Sequence, residues 1–236
     1  MTSPYIIYLL LFAAATVAAL LKKLTIAGAA AGLIVAALIY AAGGVTGVFS
    51  LAVFFVLGSG ASTIGLKRKQ MLGLAEENKG QRTMWQVLAN GGVAAILSAA
   101  SLVIPGLHFP VTLLICGSLA AATADTLSSE LGNIYGKRFY NIITFEKDTR
   151  GLDGVVSLEG TLSGILGAAV IAIIYFSGTD DLMSATFVFL AGTIGTLIDS
   201  ILGATLERRG LIGNNAVNFL NTLTGAATAW LLCVIF

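Results

Sequence analysis

Apolar residues run along this chain in long unbroken stretches, with polar residues gathered into short segments between them. Eight stretches stand out, at about 5–21, 25–43, 45–65, 84–104, 109–134, 154–177, 182–205 and 214–236. Each is near the roughly 20 residues that a helix needs to cross a bilayer. None shows the strict in/out alternation of an outer-membrane barrel strand. The pattern predicts an all-α, polytopic membrane bundle of about eight transmembrane helices, forming one integral membrane domain over residues 1–236. Pro4, Pro105 and Pro110 all fall at predicted boundaries, where a residue without a backbone N–H is tolerated. No Lys or Arg precedes the first stretch, whereas Lys22 and Lys23 follow it. A secretory signal carries its positive charge before the apolar core, so this stretch reads as an uncleaved first span.

Within the last four spans the polar residues fall on single helical faces. At 100° per residue, positions i, i+3, i+4 and i+7 share a side. The fifth span lines up Ser118, Asp125, Ser128, Ser129 and Gly132; the seventh lines up Gly195, Thr196, Asp199 and Gly203. The sixth begins with Asp153, Ser157, Gly160 and Thr161, and the eighth with Asn214, Asn218, Asn221 and Thr222. These last two sets are 61 positions apart, which suggests an internal repeat of helix pairs over 125–164 and 199–225. Asp153 has a second reading as the N-cap of its helix. Glu130 lies off the stripe of its span and would cap a site from its edge; Glu159 is also off its stripe and ambiguous.

The placement of charge orients the bundle. All 13 Lys and Arg residues fall in loops following odd-numbered spans, and the even loops hold none. By the positive-inside rule the odd loops are cytoplasmic. The expected location is then a bacterial-type inner (plasma) membrane, with both termini outside. The polar ends of the four striped helices would converge in the cytoplasmic half. Asp125, Asp153 and Asp199 would share a cavity there with several asparagines. Gathered carboxylates repel one another, and a divalent cation relieves that repulsion. These three are the candidate metal ligands, for Mg²⁺.

Composition narrows the function classes. The chain is 57% apolar and 11% charged, with a formal net charge of +1. That excludes a disordered chain, a basic nucleic-acid-binding domain and an ordinary soluble enzyme. Cys116 and Cys233 lie in apolar runs and read as small buried hydrophobes. The single histidine, His108, sits between Pro105 and Pro110 in a connection, which leaves no histidine-based triad or metal site. Lys67–Lys69 reads as a topogenic patch facing lipid headgroups. The segment Lys79-Gly-Gln-Arg82 leads into Gln86 and Asn90 at a helix start, an arrangement suited to phosphate contact or to an ordinary basic loop. No Walker A pattern is present.

Several motifs together resemble one family. They are Lys79-Gly-Gln-Arg82 with Gln86-Val-Leu-Ala-Asn-Gly91, Ala124-Asp-Thr-Leu-Ser-Ser-Glu-Leu-Gly132, Asp153-Gly-Val-Val-Ser-Leu-Glu-Gly-Thr161, Ile198-Asp-Ser-Ile-Leu-Gly-Ala-Thr205 and Asn214-Asn-Ala-Val-Asn218. In this order, over about residues 60–230, they resemble the integral-membrane family of plant phytyl-phosphate kinase and animal transmembrane protein 19. Many bacterial and archaeal members of that family are known only as a domain of unknown function. The family pattern often has Gln where this chain has Glu207. The resemblance implies an isoprenoid-monophosphate kinase using CTP or another nucleoside triphosphate. Asp125, Asp199 and Asp153 would then hold Mg²⁺. Lys79, Arg82, Asn90, Ser128, Ser129, Glu130, Ser157, Asn214, Asn215 and Asn218 would contact substrates. Lys137, Arg138 and Arg150 are alternate phosphate ligands. A transporter or flippase for an isoprenoid phosphate or an ion is the competing reading, because repeats around a polar cavity serve transport as well. A membrane scaffold is the third.

Overall fold

A computed structural model describes residues 4–73, 80–104 and 109–236. Lys79 and His108 lie outside the described residues. Among those described, eight α-helices account for the fold: α1 (Pro4–Leu20), α2 (Ile26–Thr63), α3 (Leu66–Met71), α4 (Met84–Val103), α5 (Val111–Tyr135), α6 (Leu158–Thr179), α7 (Leu182–Leu202) and α8 (Asn214–Ile235). Two short strands, β1 (Tyr140–Asn141) and β2 (Val155–Val156), pair antiparallel between α5 and α6. The fold is all-α, as the apolar runs predict.

Six helices, rather than eight, are long and apolar enough to cross a membrane. The difference has two causes. Helix α1 is a shorter apolar helix. The second and third predicted spans are continuous as α2, interrupted only at Gly44, whose φ of 61° and ψ of −154° are not helical. Glycine tolerates a positive φ that a side chain would oppose. The interruption is a reversal. A methyl group at Gly28 would lie 2.7 Å from the Arg82 carbonyl, and one at Gly58 would overlap the Arg82 guanidinium. Along a straight helix those glycines would be about 45 Å apart. Residues 26–43 and 45–63 are therefore two legs that both return to Arg82.

Local chemistry fixes the helix starts. The Thr25 hydroxyl accepts from the Gly28 N–H at 3.0 Å at the head of α2. Thr83 and Gln86 form a reciprocal capping box on α4. The Ser157 hydroxyl accepts from the Gly160 N–H at 3.1 Å on α6, and the Asp181 carboxylate from the Ser184 N–H at 3.0 Å on α7. Ser157, not Asp153, is thus the N-cap of α6. This also bears on the repeat: Ser157 precedes α6, whereas Asn218, 61 positions later, lies a turn inside α8. The repeat spacing does not align the two helix starts.

Helix α5 occupies the centre, buried continuously from Leu113 to Ala124. Small residues let its neighbours approach. Gly160 and Gly164 of α6 sit against the Ser128 and Ala124 carbonyls, Gly195 of α7 against Ala121, and Gly225 of α8 against the Gly117 carbonyl. Backbones this close gain dispersion contacts that bulky side chains would prevent. The apolar core fills around Leu113, Cys116, Ile171 and Val188, and around Val35, Ile39, Ile115 and Leu119. Cys116 is buried and Cys233 partly so, both as free thiols.

Candidate functional site

The end of α5, the starts of α4, α6 and α8, and the end of α7 surround a polar cavity of about 260 Å³. Its walls carry Asp125, Asp153, Asp199 and Glu207, together with Asn90, Asn214 and Asn218. The helical-face argument thus brings its carboxylates together. Asp125 and Asp199 face each other from α5 and α7 within interaction distance, and Asp153 and Glu207 are close enough to add repulsion. Asp125 and Asp199 are half-buried, while Asp153 is exposed at the rim.

The connection from α5 to α6 is folded over this end. The Arg208 guanidinium donates to the Asp153 carbonyl at 3.1 Å and to Asp148 Oδ2 at 2.8 Å. The Arg208 contact holds the Asp148 carboxyl below its ordinary range. Gly154, at φ 72°, packs against the backbone of Ala204 where a side chain would overlap it. Asp153 is held in place by these neighbours and not by a helix start. Arg208 is a positioning group that the sequence alone does not single out.

Glu207 reaches the cavity through a local change in helix form. Helix α7 ends in a π turn, Gly203–Glu207, closed by the Arg208 N–H donating to the Gly203 carbonyl at 3.1 Å. In a regular α-helix, residues eight apart are about 80° out of line. The wider i→i+5 turn takes up part of that offset, so Glu207 joins the face of Asp199 and interacts with Asn214.

The opposite wall comes from α4. Arg82 is 9% exposed and Asn90 is 8% exposed. Asn90 Nδ2 donates to the Gln86 carbonyl at 3.0 Å, while its Oδ1 is buried with no hydrogen-bond partner among the described residues. The Arg82 guanidinium stacks 5.1 Å from the Phe54 ring centroid and lies against Gly58, where no side chain intervenes. Gly58→Ala would displace the end of the flexible Arg82 side chain without disturbing a backbone. If Arg82 holds a phosphate here, as its motif suggests, this variant should retain its melting temperature in detergent while phosphate binding weakens at least about tenfold; unchanged binding would show that the Arg82 position is not used.

The other candidates divide clearly. Ser128, Ser129, Glu130 and Ser157 all line the cavity. Ser129 Oγ donates back to the Asp125 carbonyl at 3.0 Å. Glu130 is not a free cap: it forms a buried ion pair with Lys69 and accepts from Ser62 Oγ at 2.8 Å. Lys69 is 2% exposed and donates to the Ala61 carbonyl at 3.0 Å. It belongs to the interior, not to a lipid-facing patch. Asn215 does not line the cavity; it faces an apolar groove beside α2 and α4. Asn221 is fully buried below the cavity, with Nδ2 donating to the Ala121 carbonyl at 3.4 Å. Arg150 donates to the Gly136 carbonyl at 2.8 Å and stacks on Phe139. Lys137, Arg138 and Arg150 are all outside the lining. Gln86 does line the cavity and extends the α4 wall.

The donor set suits a hard cation. Among the described residues no three acidic, His or Cys side chains close into a ready ligand cluster. The facing pair Asp125 and Asp199 remains, with Asp199 Oδ1 buried and unpartnered. Mg²⁺ is commonly held by one or two carboxylates, with water and substrate phosphates completing its shell. The residues present fit that mode better than an all-protein cage.

The fold and site define an α-helical integral membrane protein with an acidic, asparagine-lined cavity at one end of its bundle. The chain belongs to the integral membrane protein DUF92 family, whose sequence profile matches residues 9–226. It is 34% identical to an uncharacterised membrane protein of Synechocystis sp. over 83% of this chain and 77% of that one. It is 37% identical to an uncharacterised membrane protein of Methanocaldococcus jannaschii, over 73% and 70%. It is also 32% identical to the chloroplastic protein VTE6 of Arabidopsis thaliana, over 84% of this chain and 62% of that protein. No solved structure matches.

Proposed function

We propose that this protein is a membrane isoprenoid-monophosphate kinase, transferring phosphate from CTP or another nucleoside triphosphate with the help of Mg²⁺. The observation that carries the reading is the cavity itself. It faces two close carboxylates with a wall of Arg82, Gln86 and Asn90, a layout suited to placing phosphates between anion and cation ligands. The motif resemblance to plant phytyl-phosphate kinase and the relationship to VTE6 point the same way.

In this reading an oxygen of the acceptor monophosphate attacks the terminal phosphorus of the nucleotide. The bond to the leaving nucleoside diphosphate breaks as the new P–O–P link forms. Such transfers need alignment and charge neutralisation more than a special nucleophile. The acceptor is already an anion, so no strong general base is required. Asp125 and Asp199 would hold Mg²⁺, which supplies positive charge to the triphosphate. Asp153 and Glu207 would act from the rim, directly or through water. Arg82 binds and orients the acceptor phosphate, and Asn90, Asn214 and Asn218 supply hydrogen bonds. Ser128 and Ser157 shape the floor. The two legs of α2 and helix α1 bring the crossings to eight, with the cavity toward the cytoplasm and both termini outside.

The test is a phosphate-transfer assay on purified protein in detergent. Phytyl, geranylgeranyl and farnesyl monophosphates would be offered with Mg²⁺ and each nucleoside triphosphate. Formation of a diphosphate that stops on chelation of Mg²⁺ is the expected result. No product from folded protein with any pair would overturn this substrate assignment and leave a different lipid-phosphate acceptor or transport.

A further inference from the structure

A second cavity adjoins the first. It is a groove of about 360 Å³ between α1, the two legs of α2 and α4. Its walls are apolar, and small residues such as Ala14, Gly32, Ala36 and Ala52 keep it hollow. Among the described residues its polar members are Lys23, Arg82 and Gln86. Arg82 and Gln86 line both cavities.

Backbone contacts hold this junction at the charged end. The Arg82 N–H donates to the Lys23 carbonyl at 2.9 Å, and the Thr25 N–H donates to the Arg82 carbonyl at 3.1 Å. From Leu21 the groove follows α1 back to Leu11, about 14 Å of helix. The Arg82 side chain forms the partition: its guanidinium stacks on Phe54, which lines the groove, and borders Gly58 beside Thr126, which lines the polar cavity. The two compartments together have the shape of an amphiphile with one hydrocarbon chain and an anionic head.

Building on the kinase reading, we infer that this groove binds the hydrocarbon chain of the isoprenoid acceptor, and that its phosphate passes Arg82 into the polar cavity. Charge complementarity and continuity at Arg82 and Gln86 select this occupant. A chain in the groove brings its own phosphate to the carboxylate pair, and the groove depth limits the chain length accepted.

Gly32→Leu tests this. A methyl group at Gly32 would have only Leu24 Cδ1 nearby, at 3.9 Å, so a larger side chain enters the groove without forcing a backbone apart. The ratio of geranylgeranyl to geranyl monophosphate turnover should fall at least about tenfold, since pockets discriminate by that order per displaced methylene. An unchanged ratio, in a folded variant of a wild type that forms both diphosphates, would overturn the groove while leaving the kinase reading intact. A second measurement applies even without turnover. A farnesyl monophosphate with a diazirine at its tail should label α1 or residues 48–56, and geranylgeranyl monophosphate should compete for that labelling. Labelling elsewhere, or equal competition by phosphatidylglycerol, would overturn the proposal as well.

Discussion

Asp199→Asn and Asp125→Asn should each reduce diphosphate formation by on the order of a thousandfold, with melting temperature and membrane insertion kept. The scale is that of removing one preorganised group from a site of the proposed kind. Asparagine preserves the shape of the side chain and removes its negative charge. The two carboxylates face each other on adjacent helices, α5 and α7. Of the nearby carboxylates, Glu130 is engaged by Lys69, Asp153 stands exposed at the rim and Glu207 interacts with Asn214. With one cation held by both, as proposed, the double variant should lose little more than either single one. Raising Mg²⁺ should recover part of the loss in a single variant and none in the double. Near-normal turnover in either single variant would sink the assignment of these two as metal ligands. A loss of folding instead would identify the pair as structural.

The amino-acid pattern made the helices and the carboxylate pair legible for one physical reason. In lipid the backbone must satisfy itself, so spans follow hydropathy, and polar residues on a span turn inward. Asp125 and Asp199 lie on regular helix and are found by counting at 100° per residue. Gly44 was readable as the boundary between the second and third spans, and it is there that two helical legs meet across a non-helical glycine. Glu207 escapes the same counting because the π turn breaks the register before it. Asn215 illustrates the opposite error: it directly follows the cavity residue Asn214 in sequence, but one step of 100° carries it to another face. Asp153 and Arg208 are set by a loop whose conformation depends on long-range packing of Gly154 on Ala204. No local periodicity reports that.

Lys69 is the clearest case of a charge whose role depends on tertiary structure, and Lys69→Met should cost substantial stability. A lysine beside Lys67 and Arg68 reads as part of a solvated patch, yet α3 turns it inward. There its ammonium meets the Glu130 carboxylate, and its side chain is 3% exposed against 13% for Glu130. Removing one member of a buried pair costs about 3–5 kcal/mol, because the other charge is left without compensation. The Ser62 hydroxyl, already bonded to Glu130, cannot replace the lost positive charge. Lys69→Met should therefore lower the melting temperature in detergent by several degrees or more. Adding Glu130→Gln should restore most of that loss, since replacing both members of such a pair is often close to neutral. The double variant also separates structure from chemistry. If Glu130 serves the site only by anchoring α3 and the end of α2 to α5, the restored protein should recover the proposed Mg²⁺-dependent turnover with its stability. A protein that regains its melting temperature and stays inactive would instead assign Glu130 a direct part in substrate binding at the cavity wall.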